Sequence, residues 1–223
     1  EIREINSGIV AYDAEFLASG LPRLTNDNAK GEFYLTDLVR LAREDGLTVG
    51  AHLIHDVRQT EGANDRAQLA ELGKELNRRI VTRWMREGVT VMDPATTWVD
   101  ADVTLAPDVT ILPGTQLLGA TAVEEDAVIG PDTTLKDCEV GAGARVVRAH
   151  AELAVIGDNA IVGPFAYLRP GSTLGIGAKV GTFVETKNAH LADGAKVPHL
   201  SYVGDAEIGE GTNIGAGTIF ANY

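Results

Sequence analysis

The chain has 223 residues, 44% hydrophobic and 23% charged, a composition able to bury a core and unlike that of a disordered segment. Its 32 acidic against 19 basic side chains give a net charge of -13, which repels phosphate backbones and anionic lipid, so nucleic acid is not an expected partner. The single cysteine, Cys138, excludes an intrachain disulfide and a cysteine zinc cage and suits a reducing cytoplasm, and no apolar run approaches the roughly eighteen residues of a membrane span.

Residues 1–66 read as mixed α/β: an extended run from Ile2 to Tyr12, a helix around Leu35, Leu38, Val39 and Ala42, and a strand near Val49 to Ile54. This is too small for a complete nucleotide-binding domain. Because the chain opens on Glu1-Ile2-Arg3 rather than Met, it is expected to start partway through a longer product. Between Asp65 and Arg86, Leu69, Leu72, Leu76, Ile80 and Trp84 fall three or four apart with Lys74, Arg78, Arg79 and Arg83 among them, the spacing of an amphipathic helix. The reading is a linker helix over 67–87, ended by Asp93-Pro94, where proline lacks an amide hydrogen and disfavours helix before it.

A period of six follows. Leu105, Ile111, Leu117, Val123, Ile129 and Leu135 are aliphatic at that interval, with the small residues Thr115, Thr121, Ala127 and Thr133 two positions ahead of the later ones. The register slips to Val140 and Val146, is interrupted near Arg148 to Leu153, and resumes through Ile156, Val162, Leu168, Leu174, Val180, Leu191, Val197, Val203, Ile208, Ile214 and Phe220. Neither a helix nor an ordinary strand has this period. It describes a parallel coil of short strands over 88–223, aliphatic side chains stacked inward, with Gly130, Gly157, Gly163, Gly181, Gly209 and Gly215 easing the turns.

Function is sought where the repeat is broken. Arg169 leaves a repeat strand beside Pro170, and Lys187 follows the polar Thr186. From 163 to 202, Arg169, Lys179, Lys187 and Lys196 outnumber Glu185 and Asp193, reversing the balance of the whole chain. Such cations hold phosphate through charge-assisted hydrogen bonds, although they can equally be solvated turn residues. His199 sits after Pro198 with Tyr202 three residues on, and an imidazole of ordinary pKa about 6.5 can take a proton from an amine. Asn213 and the terminal Asn222-Tyr223 offer amide and hydroxyl groups, although Asn on a turn usually serves the backbone.

Eight motifs in order carry a resemblance: Glu4 to Gly8, Gly31 to Asp37, Glu61 to Arg66, Gly163 to Gly171, Phe183 to Lys187, Pro198 to Tyr202, Tyr202 to Ala206 and Asn213 to Thr218. Together the chain resembles the bacterial bifunctional enzymes that are both glucosamine-1-phosphate N-acetyltransferase and N-acetylglucosamine-1-phosphate uridyltransferase. The resemblance implies the C-terminal α/β remnant of a nucleotidyltransferase domain, a linker helix, and a left-handed parallel β-helix of hexapeptide repeats, commonly a homotrimer with sites between subunits. General crossover chirality alone would favour the other hand.

The resemblance also implies residue roles. His199 deprotonates the 2-amine of glucosamine-1-phosphate for attack on acetyl-CoA, without an acyl-enzyme. Arg169 and Lys187 grip the phosphate, Tyr202 and Asn213 bind the sugar, and Ala216, Asn222 and Tyr223 place acetyl-CoA. Asn6 contacts the UDP-N-acetylglucosamine of the uridyl transfer, which joins UTP to N-acetylglucosamine-1-phosphate for cell-wall precursors, and Asn64 helps hold Mg2+. The family's glycine-rich nucleotide loop, its triphosphate-binding cations and the aspartate sharing Mg2+ would precede residue 1, and further coils would follow Tyr223. Uridyl transfer by these residues alone is therefore not expected, and their acetyl transfer is expected to be weak or absent. Three rival readings are a nucleotidyltransferase with a non-catalytic trimerising tail, a metal hydratase using His150, His190 and His199, and an inert solenoid.

Overall fold

The computed structural model describes residues 4–220, which divide after Leu69 into two compact units. In the first unit, helix α1 (Ala14–Gly20) is capped by Asp13, whose carboxylate accepts from the Phe16 amide at 2.9 Å. Helix α2 (Asp37–Glu44) falls where the apolar spacing expects it and buries Leu38, Leu41 and Ala42 against Phe16. Gly20 suits that contact, because a Cβ there would stand 2.9 Å from the Leu38 Cδ2 and force that methyl to shift. The strand expected near Val49 to Ile54 does not form, and the described part of the expected extended run, residues 4–12, lies in no helix or strand. A strand is stable only against a partner, and this unit has no strand among its described residues.

Helix α3 (Arg66–Arg86) spans the expected segment, but only part of the expected apolar face is covered. Leu69 and Leu76 are 61% and 57% exposed, while Asn77 and Val81 are buried and Ile80 and Trp84 pack on the solenoid core. Asn77 acts as a false strand at the first coil: its amide donates to the Thr97 carbonyl at 2.8 Å and accepts from the Val99 amide at 2.9 Å. The backbone groups at this end of the solenoid thereby gain partners. Among the described residues no helix is long and apolar enough to cross a membrane.

From Thr90 onward the chain winds into a parallel solenoid with three faces. Its inward columns are continuous. On the first face Val91, Ile111, Ile129, Val146, Val162, Val180 and Val197 stack in register. On the second the stack is Val99, Leu117, Leu135, Ala151, Leu168, Thr186 and Val203. On the third it is Leu105, Val123, Val140, Ile156, Leu174, Leu191 and Ile208, a seven-stranded sheet. The small residues ahead of the column members are buried as well except Ala206, which is half-buried; Cys138 is among them, and burial pushes its thiol pKa up. The cysteine packs as a small buried residue.

Two irregularities of the sequence pattern resolve here. The stretch Arg148 to Leu153 is a full rung, with the strand Ala149–Glu152 putting Ala151 into the column, fully buried. The spacing to its neighbours on either side is five instead of six, taken up at Arg148 and Leu153, which both have positive φ. Thr186 is likewise a column member, fully buried, with its hydroxyl 2.8 Å from that of Ser172.

The six glycines expected to ease turns divide three ways, Gly209 and Gly215 having neither positive φ nor an atom that a Cβ would crowd. Gly130 and Gly163 have positive φ, as expected at turns. Gly157 and Gly181 instead permit close stacking, since a Cβ would lie 2.6 Å from the Leu174 carbonyl oxygen and 1.9 Å from that of Pro198. Asp108, Asp126 and Asn159 take left-handed turn positions too, conformations such side chains tolerate. Asp137, Asp158 and Asp193 reach back one coil to accept from the amides of Ala120, Ala142 and Ile176 at 2.9, 3.0 and 2.8 Å.

Candidate active site

Two long strands, Lys179–Lys187 and Lys196–Gly204, turn the corner from the first face to the second and pair along seven positions. Extended pairing holds outward side chains in rows one strand spacing apart, about 4.8 Å. The outward row of the second face runs His150, Tyr167, Glu185, Tyr202 and Ile219. His150 meets the edge of Tyr167 with ring centroids 5.3 Å apart.

Where the second face ends, the next row stacks Arg169, Lys187 and Gly204, so the two predicted cations are neighbours on successive coils. Each is held by a carboxylate. Arg169 donates to Glu185 at 3.0 Å, and Lys187 lies 3.4 Å from Asp205, which also accepts from the Asn188 amide at 3.0 Å. The Arg169 guanidinium pKa is raised, chiefly by the Glu185 hydrogen bond, with Tyr202 and Tyr167 adding to the same effect. Asp205 is held below the usual carboxylate range, first by Asn188 and then by the charges of Lys187 and Arg169. Both cations remain about two-fifths exposed and can reach an incoming anion. Lys179 and Lys196 do not join them: they pair with each other on the first face.

At the other edge of the second face stands His199, exposed, its backbone in register with Thr182. The bridges Lys196 to Asn213 and Tyr202 to Ile219 fix a common offset of seventeen residues, which sets Ala216 opposite His199 on the next coil. Asn213 and Ala216 are exposed on that coil. Between the two edges lies a groove of about 480 Å³ whose walls include Phe183, Leu200, Tyr167, Glu185 and Tyr202. The structure thus gathers Arg169, Lys187 and Tyr202 toward one edge and sets Ala216 opposite His199 at the other, while Asn213 stands three residues earlier on that coil, in register with Lys196 on the first face. From His199 to Tyr202 the chain advances three residues and turns the corner at Leu200, which has positive φ, so the gap is below the roughly 10 Å of a straight strand and side chains and a small sugar can bridge it.

Asn222 and Tyr223 lie outside the described residues. In the first unit Asn6 is exposed and its side chain accepts from the Gly8 amide at 3.0 Å. Asn64 is exposed at the start of α3, where Asp65 accepts from the Gln68 amide at 2.8 Å, a capping role. Among the described residues no group of three His, Cys, Asp or Glu could hold a metal ion, so those around Asn64 do not by themselves make a Mg2+ site. The histidine trio does not assemble either, because His150 faces out from the second face, His190 from the third, and His199 stands at a corner. Sequence reasoning missed Glu185, Asn188 and Asp205 as site residues, since only the coil register shows which side chain lies above which.

No protein-family profile matches the chain. Along its whole length it is 61% identical over 222 residues to a bifunctional protein GlmU of Rhodococcus jostii, of which it covers 44%. It is 57% identical over 222 residues to that of Mycolicibacterium vanbaalenii, of which it covers 45%. The chain therefore spans a little under half the length of these relatives. Among solved structures, LpxA of Bacteroides fragilis, a UDP-N-acetylglucosamine acyltransferase, aligns with TM-score 0.47 and 13% identity, covering 57% of this chain and 62% of that one. That similarity is too slight to carry an argument.

Proposed function

Because the chain belongs along its whole length to the family of the bifunctional GlmU proteins, we propose that its solenoid transfers acetyl from acetyl-CoA to the 2-amine of glucosamine-1-phosphate. The observation that carries this reading is the second face itself, with a paired anion clamp at one edge and an exposed imidazole at the other. Arg169 and Lys187 bind the sugar phosphate by exchanging part of their bonding to Glu185 and Asp205 for phosphate oxygens. Tyr202 and Asn213 orient the sugar. His199 accepts a proton from the amine as nitrogen attacks the thioester carbonyl; the carbon–sulfur bond then breaks and the proton leaves with coenzyme A as its thiol. Ala216, opposite His199, leaves room for the thioester. Asn222 and Tyr223 would complete that side.

The same reading gives the whole protein a second activity, uridyl transfer from UTP to N-acetylglucosamine-1-phosphate, to which the first unit contributes Asn6 and Asn64. Asn64 would supply one ligand to Mg2+, whose charge would neutralise the phosphates when bound; among the described residues no group of three His, Cys, Asp or Glu could hold the ion alone. A homotrimer fits the outward ladder at the corner before the second face, where Phe165 and Phe183 stack with centroids 5.7 Å apart beside Leu200, all three more than half exposed. A free, buried Cys138 suits a cytoplasmic setting.

The test is acetylation of glucosamine-1-phosphate by the intact protein and by His199→Ala, read as free thiol. The variant should lose at least about a hundredfold in kcat, the usual worth of a general base. Equal activity would make His199 structural; no acetylation by either would favour the trimerising-tail reading.

A further inference from the structure

The motif Tyr202-Val203-Gly204-Asp205 contributes Tyr202 to the site, yet its glycine is unexplained by any turn. Gly204 ends the strand Lys196–Gly204, is buried, and is absent from the residues with positive φ, so its backbone would accept an alanine. What stands against a side chain is Tyr202. A Cβ on Gly204 would lie 2.5 Å from the phenol oxygen and 2.7 Å from the ring carbons Cε1 and Cζ, its three nearest atoms. In register, Gly204 occupies the slot directly above Lys187, and Lys187 that above Arg169. The row of side chains that supplies the two cations therefore has an empty third place, and the Tyr202 phenol fills it.

We propose that Gly204 is a positioning residue for the sugar-phosphate site: by leaving its own place empty, it seats the Tyr202 hydroxyl beside the Arg169 and Lys187 clamp. The inference rests on the acetyl-transfer reading above and adds to it the reason the phenol turns toward the phosphate edge of the groove that it lines. The electrostatic influence of Tyr202 on Arg169 agrees with this placement. Alanine at 204 would push the phenol aside at little cost to the fold, because the atoms that must move are the far end of a side chain at the surface.

The experiment is a cycle of Gly204→Ala, Tyr202→Ala and the double variant in the intact protein, with thermal unfolding recorded for each. Gly204→Ala should raise KM for glucosamine-1-phosphate about tenfold, as expected for a lost hydrogen bond to a charged group. KM for acetyl-CoA and the unfolding midpoint should stay near wild type. In the Tyr202→Ala background the glycine substitution should change nothing further, since its target is gone. An unchanged KM in Gly204→Ala, or an equal loss in both backgrounds, would overturn the proposal while leaving acetyl transfer intact. A wild type that neither binds glucosamine-1-phosphate by calorimetry nor acetylates it would overturn both.

Discussion

The second face of the solenoid contrasts its first coils with its later ones. In the first, the inward column is Val99, Leu117 and Leu135 and the outward row Trp98, Gln116 and Thr134. In the later coils the inward column becomes Ala151, Leu168, Thr186 and Val203, while the outward row becomes His150, Tyr167, Glu185 and Tyr202. The backbone ladder runs through both without a break. The inside of a solenoid must satisfy only its neighbours above and below, whereas the outside is unconstrained and can carry chemistry. Here the interior also departs from large aliphatics, and it does so in the coils whose outer row is rich in titratable groups.

That contrast is sharpest under truncation of the regular column. Leu135 is fully buried between Leu117 and Ala151, and no side chain can move in along a hydrogen-bonded coil to fill its space. Leu135→Ala should cost about 2–5 kcal/mol, the range for a large core residue, read from the urea midpoint at constant m. A cost below about 1 kcal/mol would mean that the column closes around vacancies, and the two sets of coils would then not differ in kind.

A smaller effect is expected inside the site coils. Thr186→Val restores an aliphatic residue of similar shape and removes one buried contact, the 2.8 Å hydroxyl pair with Ser172. Ser172 keeps its 2.7 Å bond to the Arg169 carbonyl, so no buried hydroxyl is left without a partner. The stability change should be about 1 kcal/mol or less in the urea midpoint. A loss as large as that of Leu135→Ala would make the Ser172–Thr186 pair a structural keystone beneath Arg169.

The period of six was legible because every rung must place an apolar side chain inward, and chance seldom repeats that over so many coils. Ala151 and Thr186 escaped it, the first because alanine looks like a gap and the second because threonine looks polar. Pairing register shows that both stand in the column. On α3, Leu69 and Leu76 satisfied helical spacing yet lie exposed, while polar Asn77 is buried, since its amide matches unpaired backbone at the first coil. Arg169, Lys187 and His199 were legible as departures from the repeat. Glu185, Asp205 and the empty place at Gly204 were not, because separations of sixteen, eighteen and seventeen residues bring them to the cations and no local motif encodes those separations.

The smallest effect expected separates the two regions by charge. In the earlier coils Lys136 and Glu152 pair at 3.0 Å, with no phenol among the groups that shift Lys136; in the site, Asp205 is shared between Asn188 and Lys187. The folded chain holds the Asp205 pKa below its ordinary 3.8, so Asp205 adds stability above that value and loses it as pH falls through the folded-state pKa. Asp205→Asn should therefore lower the unfolding midpoint slightly at neutral pH, by an amount that shrinks to nothing below the carboxylate range. Salt should reduce the difference, since the groups are partly exposed. If the midpoint difference persists unchanged at acid pH, the loss comes from the geometry of the Asn188 contact and not from charge, and Lys187 is held in place by its own strand rather than by Asp205.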